Sequence, residues 1–200
     1  FVAIWYDQSG NSFDAAQTTA ANQPKIVSTG SVILENGKPA IYFDNSNDTL
    51  ITGVNLSINN IRSFYPVNMA DTTSGFRTIF SNSYNQNNSV YVGLNINLMR
   101  HQNWIQNKNN PSYTITTLLN TQYLVDGFFE SGTNGVKRYI NSSLDTAYTT
   151  TKSLSGTDTT EFSIGASSFD NNYYWGGTQQ ELILYSSANT TNRTGIENNI

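Results

Sequence analysis

The chain has 200 residues, of which 12% are charged, and its formal net charge is −4. This length suits a single domain over residues 1–200, which we expect to be a segment of a longer protein. The charge balance lacks the basic patch that nucleic acid or an anionic membrane surface attracts, and no apolar run is long enough to cross a membrane. Because the sequence contains no cysteine, disulfides, thiolate metal sites and cysteine nucleophiles are excluded.

The polarity of the chain comes from amides and hydroxyls, since asparagine, threonine and serine together make up 74 of the 200 residues. Neutral polar groups cover a surface without steering charged molecules toward it. We therefore expect a neutral partner, either a glycan or a protein surface, and no nucleic acid or membrane insertion.

The first predicted strand lies in the opening segment FVAIWYDQSGN, residues 1–11. Apolar residues alternate with other residues up to Asp7, and the pattern ends at Gly10 and Asn11. An acidic residue at this position is either a catalyst or metal ligand, or a residue that forms a turn. We favour the turn, in which Asp7 and Asn11 bond to nearby backbone groups.

The remaining chain is dominated by short segments with a period of two, which is typical of strands. A hairpin with a glycine-bearing turn is predicted over residues 33–42. Turn-forming residues separate the further predicted strands at the spacing of an all-β sandwich. These strands cover residues 49–52, 61–69, 77–81, 89–97, 104–106, 113–119, 123–130, 136–141, 161–165 and 180–185.

The C-terminal segment is the one predicted helix, beginning near Thr190 or Thr194 and reaching Ile200. Thr194 and Glu197 have the spacing of a capping box, in which both side chains bond to free amides of the first turn. We expect Ile196 to pack on the outer face of the 180–185 strand, because so short a helix requires a docking surface.

Three segments resemble strands of laminin G-like, concanavalin A-type jelly rolls. KPAIYFDNSND at 38–48 is similar to the motif G-K-x-x-x-F-D-G-x-x-D, and VKRYIN at 136–141 is similar to x-x-L-Y-V-N-G. WGGTQQELILY at 175–185 is similar to the closing strand G-x-I-x-E-v-x-I-Y, which a short helix usually follows. The resemblance implies an all-β, concanavalin A-like, two-sheet antiparallel jelly-roll sandwich with a short C-terminal helix, and it says little about function.

YDQSGNSFDAAQ at 6–17 resembles the Y-D-Q-S-G-x-G-N-x-L-T-Q segment of α-L-arabinofuranosidase B catalytic modules and of related bacterial-virus structural proteins. In those enzymes the segment is framework, which implies that Asp7 forms a turn. The nucleophile of that family corresponds to Asn95 here, and its acid/base corresponds to Ser167. Since a retaining glycosidase requires two carboxylic acids at these positions, the resemblance implies a domain without catalytic residues.

Sugar recognition combines an aromatic ring face with amides and carboxylates that bond to hydroxyl groups. Three stretches offer that mixture: SFDNNYYW at 168–175, HQNW at 101–104 and NSYNQNN at 82–88. The candidate ligand-binding residues are therefore Tyr173, Tyr174, Trp104, His101, Asp170 and Asn171, although many aromatic residues of a sandwich serve packing alone. Hard oxygen ligands suit Ca²⁺, so Asp7, Asp44 and Asp48 are candidate calcium ligands, with turn formation as the alternative.

These features favour a non-catalytic binding or structural module of the concanavalin A-like type. We expect it to be extracellular, on a cell surface or on a virion, to contact glycans or protein partners, and to belong to a larger homo-oligomeric assembly. Two alternatives remain open at this point. One is a divergent glycosidase whose carboxylates are among Asp126, Glu130 and Asp170; the other is a capsid or fibre domain without a ligand.

Overall fold

The computed structural model describes residues 1–56, 61–72, 75–82, 89–95, 98–104, 119–130, 132–150, 161–167 and 173–200. It describes the backbone but not the side chains of residues 89–91, 95, 98–104, 132–134, 146 and 148–150. The described part contains seventeen strands, one 3₁₀ turn at Ala20–Asn22 and one α-helix, α1 at Arg193–Glu197. The first eight strands are β1 Ile4–Trp5, β2 Ala15–Ala16, β3 Val27–Ser28, β4 Ser31–Val32, β5 Leu34–Glu35, β6 Lys38–Pro39, β7 Ile41–Asp44 and β8 Leu50–Ile51. The other nine are β9 Ser63–Ala70, β10 Phe76–Ser81, β11 Ser89–Asn95, β12 Leu98–Trp104, β13 Gln122–Phe129, β14 Gly132–Ile140, β15 Ser143–Thr150, β16 Ser163–Ile164 and β17 Gly176–Tyr185.

Two large antiparallel sheets form a sandwich of the jelly-roll type. The seven-stranded sheet has the order β1-β2-β8-β16-β10-β11-β12, and the six-stranded sheet has the order β15-β14-β13-β9-β17-β7. Phe64 of the second sheet meets Phe80 of the first edge to face, with ring centroids 5.2 Å apart. The inner faces of the two sheets bury one hydrophobic core that also contains Phe43 and Trp175. The predicted fold class, including the short C-terminal helix, is confirmed.

Strands β9 and β13 are buried on both faces, which explains their nearly continuous apolar sequences. On the outer face of the six-stranded sheet, the ring of Tyr65 contacts those of Phe128 and Tyr185. Helix α1 covers this outer cluster: the Arg193 guanidinium lies 4.0 Å from the centroid of the Tyr139 ring. The core of the sandwich therefore has a second, smaller apolar layer beneath the helix.

Most predicted strands are present, with shifted ends. The 33–42 hairpin forms from β5 and β6 around Asn36 and Gly37, which have φ angles of 49° and 78°. Such an Asn-Gly pair with two positive φ angles is a preferred two-residue hairpin turn. Leu182 and Leu184 of β17 pack against the core, as their shared face predicts. The predicted 113–119 strand and residues 105–106 lie outside the described residues, apart from Leu119.

Two strands and the helix cap differ from the expectations. Strand β12 ends at Trp104 instead of beginning there, and β15 occupies a segment for which no strand was predicted. The capping box at Thr194 and Glu197 is wrong: the N-cap residue is Asn192, without a side-chain hydrogen bond. Glu197 instead forms an ion pair with Arg193, four residues earlier. The helix has five residues, and Glu197 is its buried residue.

Candidate functional site

Three loops meet at one end of the sandwich, which we call the loop end: residues 44–48, 71–72 and 173–176. The backbone N–H of Asn45 donates to the Trp175 carbonyl at 2.9 Å, and the N–H of Asp71 donates to the Gly176 carbonyl at 3.1 Å. A Cβ atom at Gly176 would lie 2.8 Å from Asp71 Oδ1 and 2.9 Å from Asn45 Cβ. Only glycine allows so close an approach, so the three loops are fixed against one another.

Within the loop end, the 44–48 loop is held by its own carboxylates. Asp44 Oδ1 accepts the backbone N–H of Ser46 at 2.9 Å and of Asn47 at 3.2 Å. Asp48 Oδ2 accepts the N–H of Asp44 at 3.0 Å. Burial and then the charge of Asp44 raise the pKa of Asp48 to about 6. The two acids therefore form the turn that the sequence predicts, and a cation beside them would favour the charged form of Asp48.

The aromatic part of the loop end is Tyr173 and Tyr174, both half-buried. Tyr173 has a φ angle of 58°, which is uncommon for a residue with a side chain. Its ring lies 5.2 Å from that of Phe76, and its carbonyl accepts the N–H of Thr78 at 2.8 Å. The strained Tyr173 backbone is thus held by β10, so the ring of Tyr173 is positioned by a strand.

Polar side chains also lie at the loop end. Tyr42 donates its hydroxyl to Asp71 Oδ2 at 2.8 Å, and burial followed by this hydrogen bond raises the pKa of Tyr42 to about 12. Asn45 and Ser46 are exposed. Neutral hydroxyls and amides, a carboxylate and partly exposed aromatic rings are the groups that bind sugars.

The two positions that correspond to catalytic residues of arabinofuranosidases lie near the same end. Asn95 pairs with Phe76 in the β10–β11 register, and Phe76 is the residue that contacts Tyr173. Ser167 is fully buried, and its hydroxyl has no hydrogen-bond partner among the described residues. The resemblance therefore implies an amide and a hydroxyl at the two positions where arabinofuranosidases have acids.

Asp7 lies elsewhere, in the loop between β1 and β2. Its Oδ1 accepts the Ser9 N–H at 2.9 Å, and its Oδ2 accepts the Ser9 hydroxyl at 2.7 Å and the Phe13 N–H at 3.1 Å. These hydrogen bonds, led by the one from the Ser9 backbone, lower the pKa of Asp7. The Asn11 side chain donates to the Ser9 hydroxyl at 2.8 Å rather than to a backbone group. The predicted turn-forming role of Asp7 is confirmed. The Asn11 side chain contributes to the same turn through the Ser9 hydroxyl.

The described residues contain no group of three or more histidine, aspartate or glutamate side chains arranged to hold a metal ion. Asp7 is therefore not brought together with Asp44 and Asp48 in one cluster. A calcium ion at the 44–48 loop would need its further ligands from carbonyl, amide or hydroxyl oxygens, which Ca²⁺ accepts readily.

The other candidate ligand residues are only partly described. His101 and Trp104 lie in β12, paired with Val92 and Ser89 of β11, and their side chains are outside the description. Asp170 and Asn171 lie outside the described residues. Their roles in ligand binding stay predictions.

A cleft of about 860 Å³ opens on one side of the sandwich and was not predicted from the sequence. Trp5, Tyr6 and Phe13 line one wall, and β17 from Gln180 to Tyr185 lines the other. The apolar alternation of the opening segment predicts that Tyr6 is buried, whereas Tyr6 is 62% exposed. We call this feature the side cleft.

A pair of carboxyl groups also lies beneath helix α1. Asp126 of β13 is fully buried, and Glu197 is 9% exposed. Burial, and then the hydrogen bond and charge of Glu197, raise the pKa of Asp126. The helix separates both groups from solvent, so a substrate in the loop end or the side cleft has no access to them.

Comparison with known proteins finds solved structures with a similar fold. No protein-family model and no curated protein sequence matches the chain. Solved structures do match. Domain 4 of AbnA, a GH43 extracellular arabinanase from Geobacillus stearothermophilus in complex with arabinotriose, shares 14% identity over 92% of this chain and 80% of that chain, with a TM-score of 0.57.

Two further structures match over most of the chain at similarly low identity. A mutant of Trypanosoma rangeli sialidase displaying trans-sialidase activity shares 12% identity over 94% of this chain and 29% of that chain, with a TM-score of 0.64. A botulinum neurotoxin type C structure shares 13% identity over 99% of this chain and 50% of that chain, with a TM-score of 0.54. The chain thus spans less than a third of the sialidase and half of the toxin chain. At these identities the likeness shows the fold alone.

Proposed function

We propose that the domain is a non-catalytic, concanavalin A-like glycan-binding module whose site is the loop end. The observation that carries the proposal is that separately predicted residues meet there. The loop with Tyr173 and Tyr174 is bonded directly to the loop with Asp44 and Asp48 through Asn45 and Trp175. Loops positioned by a rigid scaffold are the usual place for binding residues.

The chemistry of the loop end favours a neutral glycan. Half-buried tyrosine rings offer apolar faces to a sugar ring, while Asn45 and Ser46 expose an amide and a hydroxyl in the 44–48 loop. The net charge of −4 disfavours anionic ligands over the whole surface. The arabinotriose complex of the arabinanase domain and the interaction of the toxin with ganglioside molecules support a search among glycans.

The proposal includes the absence of glycosidase chemistry at this site. Asn95 and Ser167 stand at the positions of the two acids, and neither an amide nor a hydroxyl replaces a carboxylic acid in a retaining mechanism. Asp126, one of the alternative acids, is fully buried. Release of 4-nitrophenol from an aryl α-L-arabinofuranoside, abolished by Asp170→Asn or Glu130→Gln, would support the divergent-glycosidase alternative instead.

The binding test is a glycan array followed by calorimetry with the best neutral oligosaccharide, beginning with arabino-oligosaccharides. Tyr174→Ala should weaken binding about threefold or more, since an aromatic contact contributes about 0.5–1.5 kcal/mol beyond its buried area. Tyr6→Ala is the matched control, because Tyr6 is an exposed tyrosine of the side cleft. Equal loss in both variants, or no binding to any glycan, would contradict a glycan site at the loop end.

Calcium dependence and surface display complete the proposal. If Ca²⁺ bridges the 44–48 loop to the glycan, EDTA should weaken binding and Asp44→Asn should remove the calcium effect; binding unchanged by EDTA would leave the acids as turn formers.

Display on a cell or virion surface, within a larger homo-oligomeric assembly, is tested by labelling intact cells or particles with antibodies. Labelling without any glycan binding would favour the structural capsid or fibre alternative.

A further inference from the structure

Strand β17 has partners on both sides over only the first part of its length. Its residues Gly176–Gln179 pair with β7, whereas Glu181–Tyr185 pair with β9 alone. Among the described residues, no strand lies on the other side of the 181–185 segment. This segment therefore presents an open edge, on which backbone N–H and C=O groups alternate without strand partners.

The open edge results from the course of the preceding chain. Strand β7 begins at Ile41, and the residues before it turn away to form the β5–β6 hairpin. The side chain of Gln180 donates to the carbonyls of Glu35 at 2.8 Å and Lys38 at 2.9 Å. The hairpin thus closes one end of the open edge without continuing the sheet beside it.

The side cleft runs along this open edge and reaches the core. Leu182 and Leu184 are half-buried and face the core beside Trp5, while Leu56 and Phe162 also line the cleft. A strand of five residues fills a space about 17 Å long, 4.8 Å wide and 10 Å deep, or about 800 Å³. The cleft has about 860 Å³. Its size and its apolar floor match one additional strand.

The charges of the cleft indicate which strand fits. Among the described residues, the lining includes the carboxylates of Asp7 and Glu181 and no lysine or arginine. A second copy of the chain would bring the same acidic groups against these, and the net charge of −4 on each copy adds to that repulsion. A strand with basic residues at its ends is complementary.

We propose that the side cleft is a docking site for an extended segment of a partner protein, which adds a strand to the six-stranded sheet beside Glu181–Tyr185. Its apolar side chains, two residues apart, cover Leu182 and Leu184, and its terminal lysine or arginine residues approach Asp7 and Glu181. Strand addition at an open edge combines main-chain hydrogen bonds for affinity with side-chain pockets for specificity. This site is separate from the loop end and does not depend on glycan binding.

The test uses an eight-residue peptide that alternates valine with threonine and carries a lysine at each end. Calorimetry should show binding, and hydrogen exchange should show slower exchange of amides at residues 181–185 when the peptide is present. A peptide with N-methyl groups on the amides of both edges should bind at least about tenfold more weakly, since neither edge can complete the ladder. Equal binding of the N-methylated peptide would contradict strand addition.

A charge reversal tests the end contacts. Glu181→Lys should lower the affinity for the lysine-ended peptide about two- to fivefold, as expected for the loss of an exposed ion pair. Glu130→Lys is the matched control because Glu130 is exposed and lies outside the cleft. Two results would overturn the proposal: concentration-dependent dimers that protect 181–185 without peptide, which would assign the edge to a second copy, and protection of 181–185 by a neutral oligosaccharide.

Discussion

The buried carboxyl pair beneath helix α1 makes the stability of the domain depend on pH in a specific direction. Asp126 is fully buried, and neither of its carboxyl oxygens lies within hydrogen-bonding distance of a donor among the described residues. A protonated Asp126 donates to Glu197, which keeps its charge beside Arg193. Burial raises the pKa of Glu197, but hydrogen bonds from Asp126 and Arg193 outweigh this effect and the net pKa is lowered.

The sign of the effect follows from the proton on Asp126. Because the folded protein raises the pKa of this group above 3.8, the folded state retains a proton that the unfolded chain releases. Asp126 contributes most to the stability of the domain at a pH below its pKa in the unfolded chain. This contribution is lost as the pH rises through its pKa in the folded protein. Each pH unit in this window removes about 1.4 kcal/mol of stability. Glu197, whose pKa is lowered, contributes stability above its ordinary range and loses it as the pH falls.

The perturbation is Asp126→Asn, which retains the shape and a donor toward Glu197 but has no proton to release. Between pH 5 and pH 7 the stability of Asp126→Asn relative to the natural chain should rise by about 2.7 kcal/mol. For a domain of this size that change corresponds to roughly 5–10 °C in melting temperature. At pH 5 the two proteins should be similar, within about 1–2 kcal/mol.

The assay is urea unfolding at pH 5, 6, 7 and 8, followed by tryptophan fluorescence. The control is Glu130→Gln, which removes a carboxylate that is exposed. The reasoning is refuted if Asp126→Asn and the natural chain lose stability in parallel over this range, because Asp126 would then be ionised in the folded state. The charged groups facing Asp126 are Glu197 from the helix and Arg193 one turn earlier.

Three further substitutions test two sets of contacts by urea unfolding at pH 7. Asp7→Ala should lower stability by about 1–2 kcal/mol without affecting glycan binding, since Asp7 accepts three hydrogen bonds that fix its loop; loss of calcium or glycan binding at unchanged stability would contradict this role. Asp145→Ala should cost about 3 kcal/mol, because Asp145 is the carboxylate paired with the buried Arg138. Arg138→Met, which removes the buried charge as well, should cost less, and an equal or larger cost would show that the guanidinium has other essential contacts.

The sequence predicts best those strands whose apolar side chains are buried. Strands β9 and β13 carry apolar or aromatic residues on both faces and are buried on both, and the 182–185 part of β17 has the same pattern and is half-buried. Strand β15 was missed because Ser143–Thr150 is rich in threonine and serine, and its pairing with β14 gives it a strand conformation. Strand formation depends on the neighbouring strand as well as on propensity, and here that neighbour is β14, which directly precedes β15 in the chain.

In the helix, a tertiary contact of Glu197 replaces the predicted capping box. Thr194 and Glu197 have the spacing of a capping box, yet Glu197 turns toward Arg193 and the buried Asp126. A capping bond contributes about 1 kcal/mol, whereas Glu197 at 9% exposure supplies an acceptor for an otherwise unsatisfied buried acid. The sequence contains no local sign of Asp126, which is 71 positions away from Glu197 in the numbering.

The candidate site was predictable in its parts and not in its assembly. The turn-forming roles of Asp7 and Asp44 follow from side-chain bonds to amides two residues later, which short polar side chains form locally. The meeting of the 44–48 and 173–176 loops depends on the pairing of β7 with β17, across more than 130 positions. The open edge at 181–185 likewise depends on where β7 ends, and no local pattern in β17 indicates it.

Strand β17 contributes Gly176 to the loop end and Glu181–Tyr185 to the side cleft, so the two proposed sites share one element. We expect them to act independently, because a strand added at the open edge leaves the pairing of β17 with β9 unchanged. A saturating amount of the lysine-ended peptide should therefore change glycan affinity less than about twofold, and the glycan should change peptide affinity by the same small factor. An equal change of fivefold or more in both directions would show that β17 transmits binding from one site to the other. The bulge between Gln179 and Glu181 would then be the segment to examine, since it lies between the two sites.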